Sequence, residues 1–114
     1  MGVLPNSPKT MDTCIDSCVK CARACEECFT ACLEEADVKA RDKCIKTLND
    51  CAEICLQSMQ FMARKSNFAK PICNLCADIC DACAKECEMF KDEHCQACAK
   101  ICRECAQACR NMAS

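Results

Sequence analysis

The sequence predicts an all-α protein, an antiparallel up-and-down four-helix bundle with a cysteine-lined core. Three observations carry this. One glycine and three prolines in 114 residues are too few for the turns of a loop-rich fold. Cysteine supplies 19 of the 114 residues, about twice the share that already marks a short chain as a disulfide scaffold. The cysteines also recur at alternating steps of three and four, the spacing of the inward seam of a helix.

The first run is Cys14, Cys18, Cys21, Cys25, Cys28 and Cys32. It predicts a helix from near Ser7 to near Glu35, with Ser7 as its cap and Pro8 in its first turn. The second run is sparser: Cys44, Cys51 and Cys55, with Leu48 in the missing slot, on a helix from about Val38 to Arg64. Ser66 to Lys70 breaks the pattern, and Pro71 suits the first turn of a third helix reaching about Phe90. That helix carries Cys73, Cys76, Cys80, Cys83 and Cys87. Asp92 is the expected cap of a fourth helix, which carries Cys95, Cys98, Cys102, Cys105 and Cys109 and runs to about Met112. Short connections make four such helices alternate up and down around one axis. Residues 10–114 are then a single domain, preceded by a tail and helix lead-in over residues 1–9.

Charge excludes several functions. The 15 Lys and Arg against 17 Asp and Glu give a net charge of −2, and neither sign gathers into a block, so no nucleic-acid surface is expected. Charges interrupt every apolar segment before the roughly 18 residues of a membrane span. The N-terminal MGVLPNSPKT shows no apolar export segment and no twin arginine. Its Met-Gly start is half a myristoylation motif, with Asn6 where Ser or Thr is needed. A cytosolic protein with reduced thiols is the expectation.

In an ordinary bundle Leu and Ile fill the seams. Here cysteine does, and larger apolar residues such as Ile15, Phe29, Ile54, Leu75, Ile79 and Ile101 flank it. A merely hydrophobic role for cysteine explains little, because small seam residues leave voids and Ala would serve without the risk of oxidation. Disulfides fail within a helix, where side chains one turn apart stand about 5–6 Å apart at Cβ, against about 3.5–4.5 Å in a disulfide. Metal binding explains more. The pairs 14/18, 21/25, 28/32, 51/55, 76/80, 83/87, 98/102 and 105/109 each place two sulfurs one turn apart, so that an ion can sit between them.

Charge then selects among metals. Zinc in four-thiolate sites would use 19 thiolates on fewer than five ions, leaving about nine uncompensated charges in a dry core. About one Cu(I) per thiolate cancels the charge, and shared thiolates give each ion two or three soft ligands. An iron–sulfur cluster is the other alternative, but ferredoxin clusters draw their cysteines from a loop, which a continuous helix does not offer. A redox enzyme would need one activated cysteine with a base, and no cysteine here is set apart by its sequence surroundings.

With these four seams of Cys-x-x-x-Cys pairs, the chain resembles the bacterial copper storage proteins, specifically their cytosolic branch, from about Met11 to Met112. The resemblance implies a homotetramer of four-helix bundles, each storing many Cu(I) ions on thiolates inside the bundle. It gives all 19 cysteines the role of Cu(I) ligand, with thinner coordination along the second helix. It implies no catalysis.

The seams continue past the cysteines. Met11, Met62 and Met112 extend three of them toward one end of the bundle, and Met59 lies beside them. Thioethers are neutral, soft and weak ligands, which suits an entrance for Cu(I); they also fill core gaps. Met89, off the seam, reads as packing. The single histidine, His94, precedes Cys95 at the opposite end, where neutral imidazole could complete a terminal Cu(I) site or simply be solvated. Glu34, Glu35, Lys39 and Arg41 are expected on solvated faces and loops. Ile72, Leu75, Ile79 and Phe61 offer apolar surface for a subunit interface.

Overall fold

The computed structural model describes residues 2–4 and 8–114. Four helices account for most of it: α1 (Lys9–Leu33), α2 (Asp42–Ala63), α3 (Ala69–Glu88) and α4 (Glu93–Ala113). Each packs against its two neighbours in a closed ring, α1–α2–α3–α4–α1, and the described residues of diagonal helices make no close backbone approach. The result is a rod 48 × 23 × 17 Å. Alanines one position after seam cysteines, among them Ala22, Ala52, Ala77, Ala84, Ala99 and Ala106, are buried between the helices. Their small side chains bring the helix walls together around small sulfur-bearing seams.

Three local features differ from expectation. The cap of α1 is Pro8 itself, extended at φ −60° and ψ 134°, with its carbonyl accepting from Asp12 N–H at 3.0 Å; Ser7 lies outside the described residues. Val38–Arg41 forms a 3₁₀ turn, and α2 begins only at Asp42. The tighter winding turns the Arg41 side chain inward, where its Nε donates to Asp37 Oδ1 at 2.6 Å. Asp92 does precede α4, but only its backbone carbonyl caps the helix, accepting from Cys95 and Gln96 N–H at 3.1 and 3.0 Å. Its carboxylate is 2.6 Å from Arg41 Nη2 instead, which ties the start of α4 to the turn before α2.

The α2–α3 connection is a Schellman turn without glycine. Ser66 N–H reaches back to Phe61 O at 3.0 Å and Lys65 N–H to Met62 O at 3.0 Å. Lys65 accordingly sits at φ 52°, a left-handed conformation that costs a residue with a Cβ about 1–2 kcal/mol. Pro71 is the third residue of α3, inside its first turn as expected. No helix of the described residues is long and apolar enough to cross a membrane.

Candidate metal centre

All 19 cysteines are buried free thiols, none more than 2% exposed. The four seams bring them into one column of sulfur along the bundle axis. Near the methionine end, Cys14 Sγ is 3.6 Å from Cys109 Sγ, and Cys18 Sγ is 3.7 Å from that same sulfur and 3.8 Å from Cys105. In the middle, Cys21 stands 3.7 Å from Cys102 and 3.9 Å from Cys51. Cys51 and Cys55 are both 3.7 Å from Cys80, and Cys55 is 3.7 Å from Cys76. Further on, Cys25 lies 3.7 Å from Cys102 and 4.0 Å from Cys98, and Cys44 lies 3.8 Å from Cys87.

These separations far exceed the roughly 2.05 Å of a disulfide but suit two sulfurs sharing one ion. Cys18/Cys76/Cys105/Cys109, Cys21/Cys55/Cys80/Cys105 and Cys21/Cys25/Cys51/Cys102 each hold their sulfurs within 4.8 Å of one another, as does the triad Cys14/Cys73/Cys109. Neighbouring groups share members: Cys105 and Cys109 join the first to those on either side. From the triad at Cys14 to the group holding Cys25, Cys51 and Cys102 the sulfurs therefore form one overlapping series, whereas the cluster of Cys28, Cys32, Cys95 and His94 shares no member with it.

The thiols govern one another's protons. Hydrogen bonding with Cys109 holds Cys14 and Cys105 below the ordinary thiol value, and hydrogen bonding with Cys102 does the same for Cys51 and Cys98. Cys109, bonded to Cys105 and Cys14, and Cys102, bonded to Cys21 and Cys25, are pushed above it. Burial, followed by the bond to Cys32, pushes Cys95 up to about 12. Hydrogen bonds from neighbouring thiols thus favour the thiolate at some of these positions and disfavour it at others.

Besides Leu48 and Met62, two slots on the seam of α2 and of the 3₁₀ turn before it are not marked by cysteine in the sequence. The slots run Arg41, Cys44, Leu48, Cys51, Cys55, Ser58, Met62 at steps of three and four. Ser58 is fully buried and its hydroxyl has no hydrogen-bond partner. Arg41, expected on a solvated face, is only 4% exposed. Its Nη1 donates to Cys95 Sγ at 3.5 Å and Cys32 Sγ at 3.7 Å, and its guanidinium lies 4.4 Å from the centre of the Phe90 ring. Burial works against its charge, but Asp37 and Asp92 outweigh that and hold it protonated above its ordinary value. Both slots could have been found by continuing the step pattern through residues other than cysteine.

His94 also lies where chemistry is possible. Its Nδ1 is 3.6 Å from Cys28 Sγ and 3.5 Å from Cys95 Sγ, and its Nε2 is 3.1 Å from Glu35 Oε2. Cys28, Cys32, Cys95 and His94 form the cluster that ends the column here. At the other end Met62 is fully buried and Met112 is 9% exposed, while Met11 and Met59 are half-buried against the core. Met89 is exposed. Of the apolar candidates for an interface, Leu75 is half exposed, and Ile72, Ile79 and Phe61 are partly covered.

The sequence profile of the copper storage protein family matches residues 7–114. Among solved structures, the chain is similar to a Cu(I)-bound copper storage protein designated BsCsp3, at 46% identity and a TM-score of 0.89 over 93% of this chain and 100% of that one. Apo copper storage protein 3 from Bacillus subtilis is 48% identical, with a TM-score of 0.86 over 90% of this chain and 98% of that one. The copper storage protein Ccsp from Streptomyces lividans, loaded with 10 copper equivalents, is 38% identical, with a TM-score of 0.89 over 92% of this chain and 84% of that one. No curated protein matches the chain.

Proposed function

The chain belongs to the copper storage protein family, and from that premise we propose that it is a cytosolic store taking up many Cu(I) ions on the thiolates inside its bundle. The observation that carries this is the column of 19 buried thiols, in which close sulfur pairs stand 3.6 to 4.0 Å apart and overlapping groups hold their sulfurs within 4.8 Å of one another. Such a column has no preferred single site; it fills. Each Cu(I) supplies the charge that lets a further thiol ionise, so uptake displaces about one proton per thiolate used. Storage requires no catalytic group, and the chain is not an enzyme.

Residues 10–114 act as one storage domain, and all 19 cysteines serve as ligands, with His94 Nδ1 as a neutral donor at its end of the column. Met11, Met59, Met62 and Met112 form the opposite mouth, where weak thioether ligands hand ions to Cys14, Cys73 and Cys109. Four bundles assemble as a homotetramer through apolar side chains such as Leu75, which is 51% exposed in the single chain. Zinc as the main cargo is disfavoured by charge, and an iron–sulfur cluster by the absence of a ligand-bearing loop among the described residues.

The test is an anaerobic titration of reduced apo protein with Cu(I) in the presence of a coloured Cu(I) chelator. Retention near one ion per cysteine before the chelator competes is the expected result. A plateau at one or two ions overturns storage in favour of a delivery role.

A further inference from the structure

The cluster that ends the column differs from the others in donor set, in charge and in its surroundings. It contains three sulfurs and one imidazole nitrogen. Cys28 Sγ is 4.0 Å from Cys32 and 3.9 Å from Cys95, Cys32 is 3.7 Å from Cys95, and His94 Nδ1 is 3.6 Å from Cys28 and 3.5 Å from Cys95. A tetrahedral ion with bonds of about 2.3 Å to sulfur and about 2.05 Å to nitrogen has sulfur–sulfur edges of about 3.8 Å and sulfur–nitrogen edges of about 3.5 Å. Five of the six edges of the cluster stand near those lengths, and all four atoms lie within 4.8 Å of one another.

We propose that in the copper-free protein Cys28, Cys32, Cys95 and His94 form a single Zn²⁺ site, distinct in its chemistry from the Cu(I) column that it closes. Charge supports this at one place only. Zinc on four thiolates leaves two negative charges, and among the described residues no buried cation stands beside the all-cysteine groups to offset them. With three thiolates and a neutral imidazole one negative charge remains, and the Arg41 guanidinium, donating to Cys32 and Cys95, offsets part of it, its charge being shared with Asp37 and Asp92. Among the described residues Arg41 is the one buried cation. Asp37 and Asp92, which pin it at 2.6 Å each, are more exposed than the guanidinium they hold.

The outer contacts are those a zinc ligand set uses. Glu35 Oε2, 3.1 Å from His94 Nε2, accepts the ring N–H and leaves the Nδ1 lone pair directed at the sulfurs. Arg41 N–H groups bonded to thiolate sulfur disperse charge without competing as ligands. The side chains of His94 and Glu35 are 28% and 36% exposed, so a hydrated ion can reach the site from solvent, unlike the groups deeper in the bundle. Zinc here ties α1 to α4 at a site adjoining the turn that precedes α2. Because Cu(I) prefers thiolate more strongly, loading the column displaces the zinc.

The experiment uses the full chain, reduced and metal-free, titrated with Zn²⁺ against a chromophoric zinc chelator, with Co²⁺ as a spectroscopic substitute. One equivalent withheld, with the intense visible bands of tetrahedral Co²⁺ bound to sulfur, is the expected result. His94→Ala weakens that equivalent at least tenfold. Arg41→Met weakens it also, Arg41→Lys restores part of the loss, and Cys14→Ala at the far end leaves it unchanged. Circular dichroism of each apo variant confirms that the helices remain. No retained zinc overturns the proposal, as does zinc that His94→Ala and Cys95→Ala both leave in place. The Cu(I) capacity of the same samples is measured separately, so this inference can fail while the storage reading stands.

Discussion

Cys21 of α1 and Cys102 of α4 place their sulfurs 3.7 Å apart at the middle of the bundle, and each also belongs to the group containing Cys25 and Cys51. Ions at this level share both thiolates. The double variant Cys21→Ala/Cys102→Ala is expected to lose about two Cu(I) equivalents in chelator competition. Its apo form should lose only about 1 kcal/mol per site in chemical denaturation, as for removal of one buried group.

Ser58 sits where the α2 seam, read by its spacing, would take a cysteine. Its buried hydroxyl is unpartnered, a condition that costs about 1–3 kcal/mol. Ser58→Cys is therefore expected to raise both the unfolding midpoint of the apo protein and the Cu(I) capacity, the latter by about one ion. An unchanged capacity would show that this level of the column is already saturated by Cys14, Cys73 and Cys109.

At the methionine end, replacing Met11, Met59, Met62 and Met112 by Leu keeps side-chain volume, with a stability change of less than about 1.5 kcal/mol per site. Stopped-flow mixing with Cu(I) is expected to show slower uptake at unchanged final capacity. Uptake at the wild-type rate would mean that these side chains only fill the end of the core.

Burial, with the bond to Cys32, raises the Cys95 thiol from an ordinary 9.0 to about 12. The folded state then holds a proton that the unfolded chain has lost in that interval, so this contribution to stability is complete below about pH 9 and disappears as pH rises toward about 12. Thermal melts of the apo protein between these values should show a falling midpoint. Copper-loaded protein, whose thiols are already deprotonated, should not show that loss.

Most of the architecture was legible because cysteine marks the seam in a way leucine does not. A leucine stripe competes with flanking apolar residues for the reader's attention; the steps from Cys14 to Cys32 and from Cys95 to Cys109 leave one face only. Phasing the four seams against one another also follows, since alternating helices meet at matched levels. The sequence concealed what happens where cysteine gives way to something else. Arg41 reads as one surface charge among 15 Lys and Arg, and only the 3₁₀ turn over Val38–Arg41 directs it inward against Cys32 and Cys95. Ser58 is silent because serine occurs on either face of a helix. Glu35 lies 59 positions from His94, so only the packed bundle joins them.

The central claim is that Cu(I) occupies the interior of the bundle along the whole sulfur column. Anomalous diffraction at the copper edge from crystals of fully loaded protein tests it most directly. The account predicts a file of copper peaks between the four helices, from the level of Cys14 and Cys109 to that of Cys32 and Cys95, each bonded to two or three sulfurs. Copper confined to one or two peaks, or lying on the outer faces of the helices with the interior empty, would contradict it.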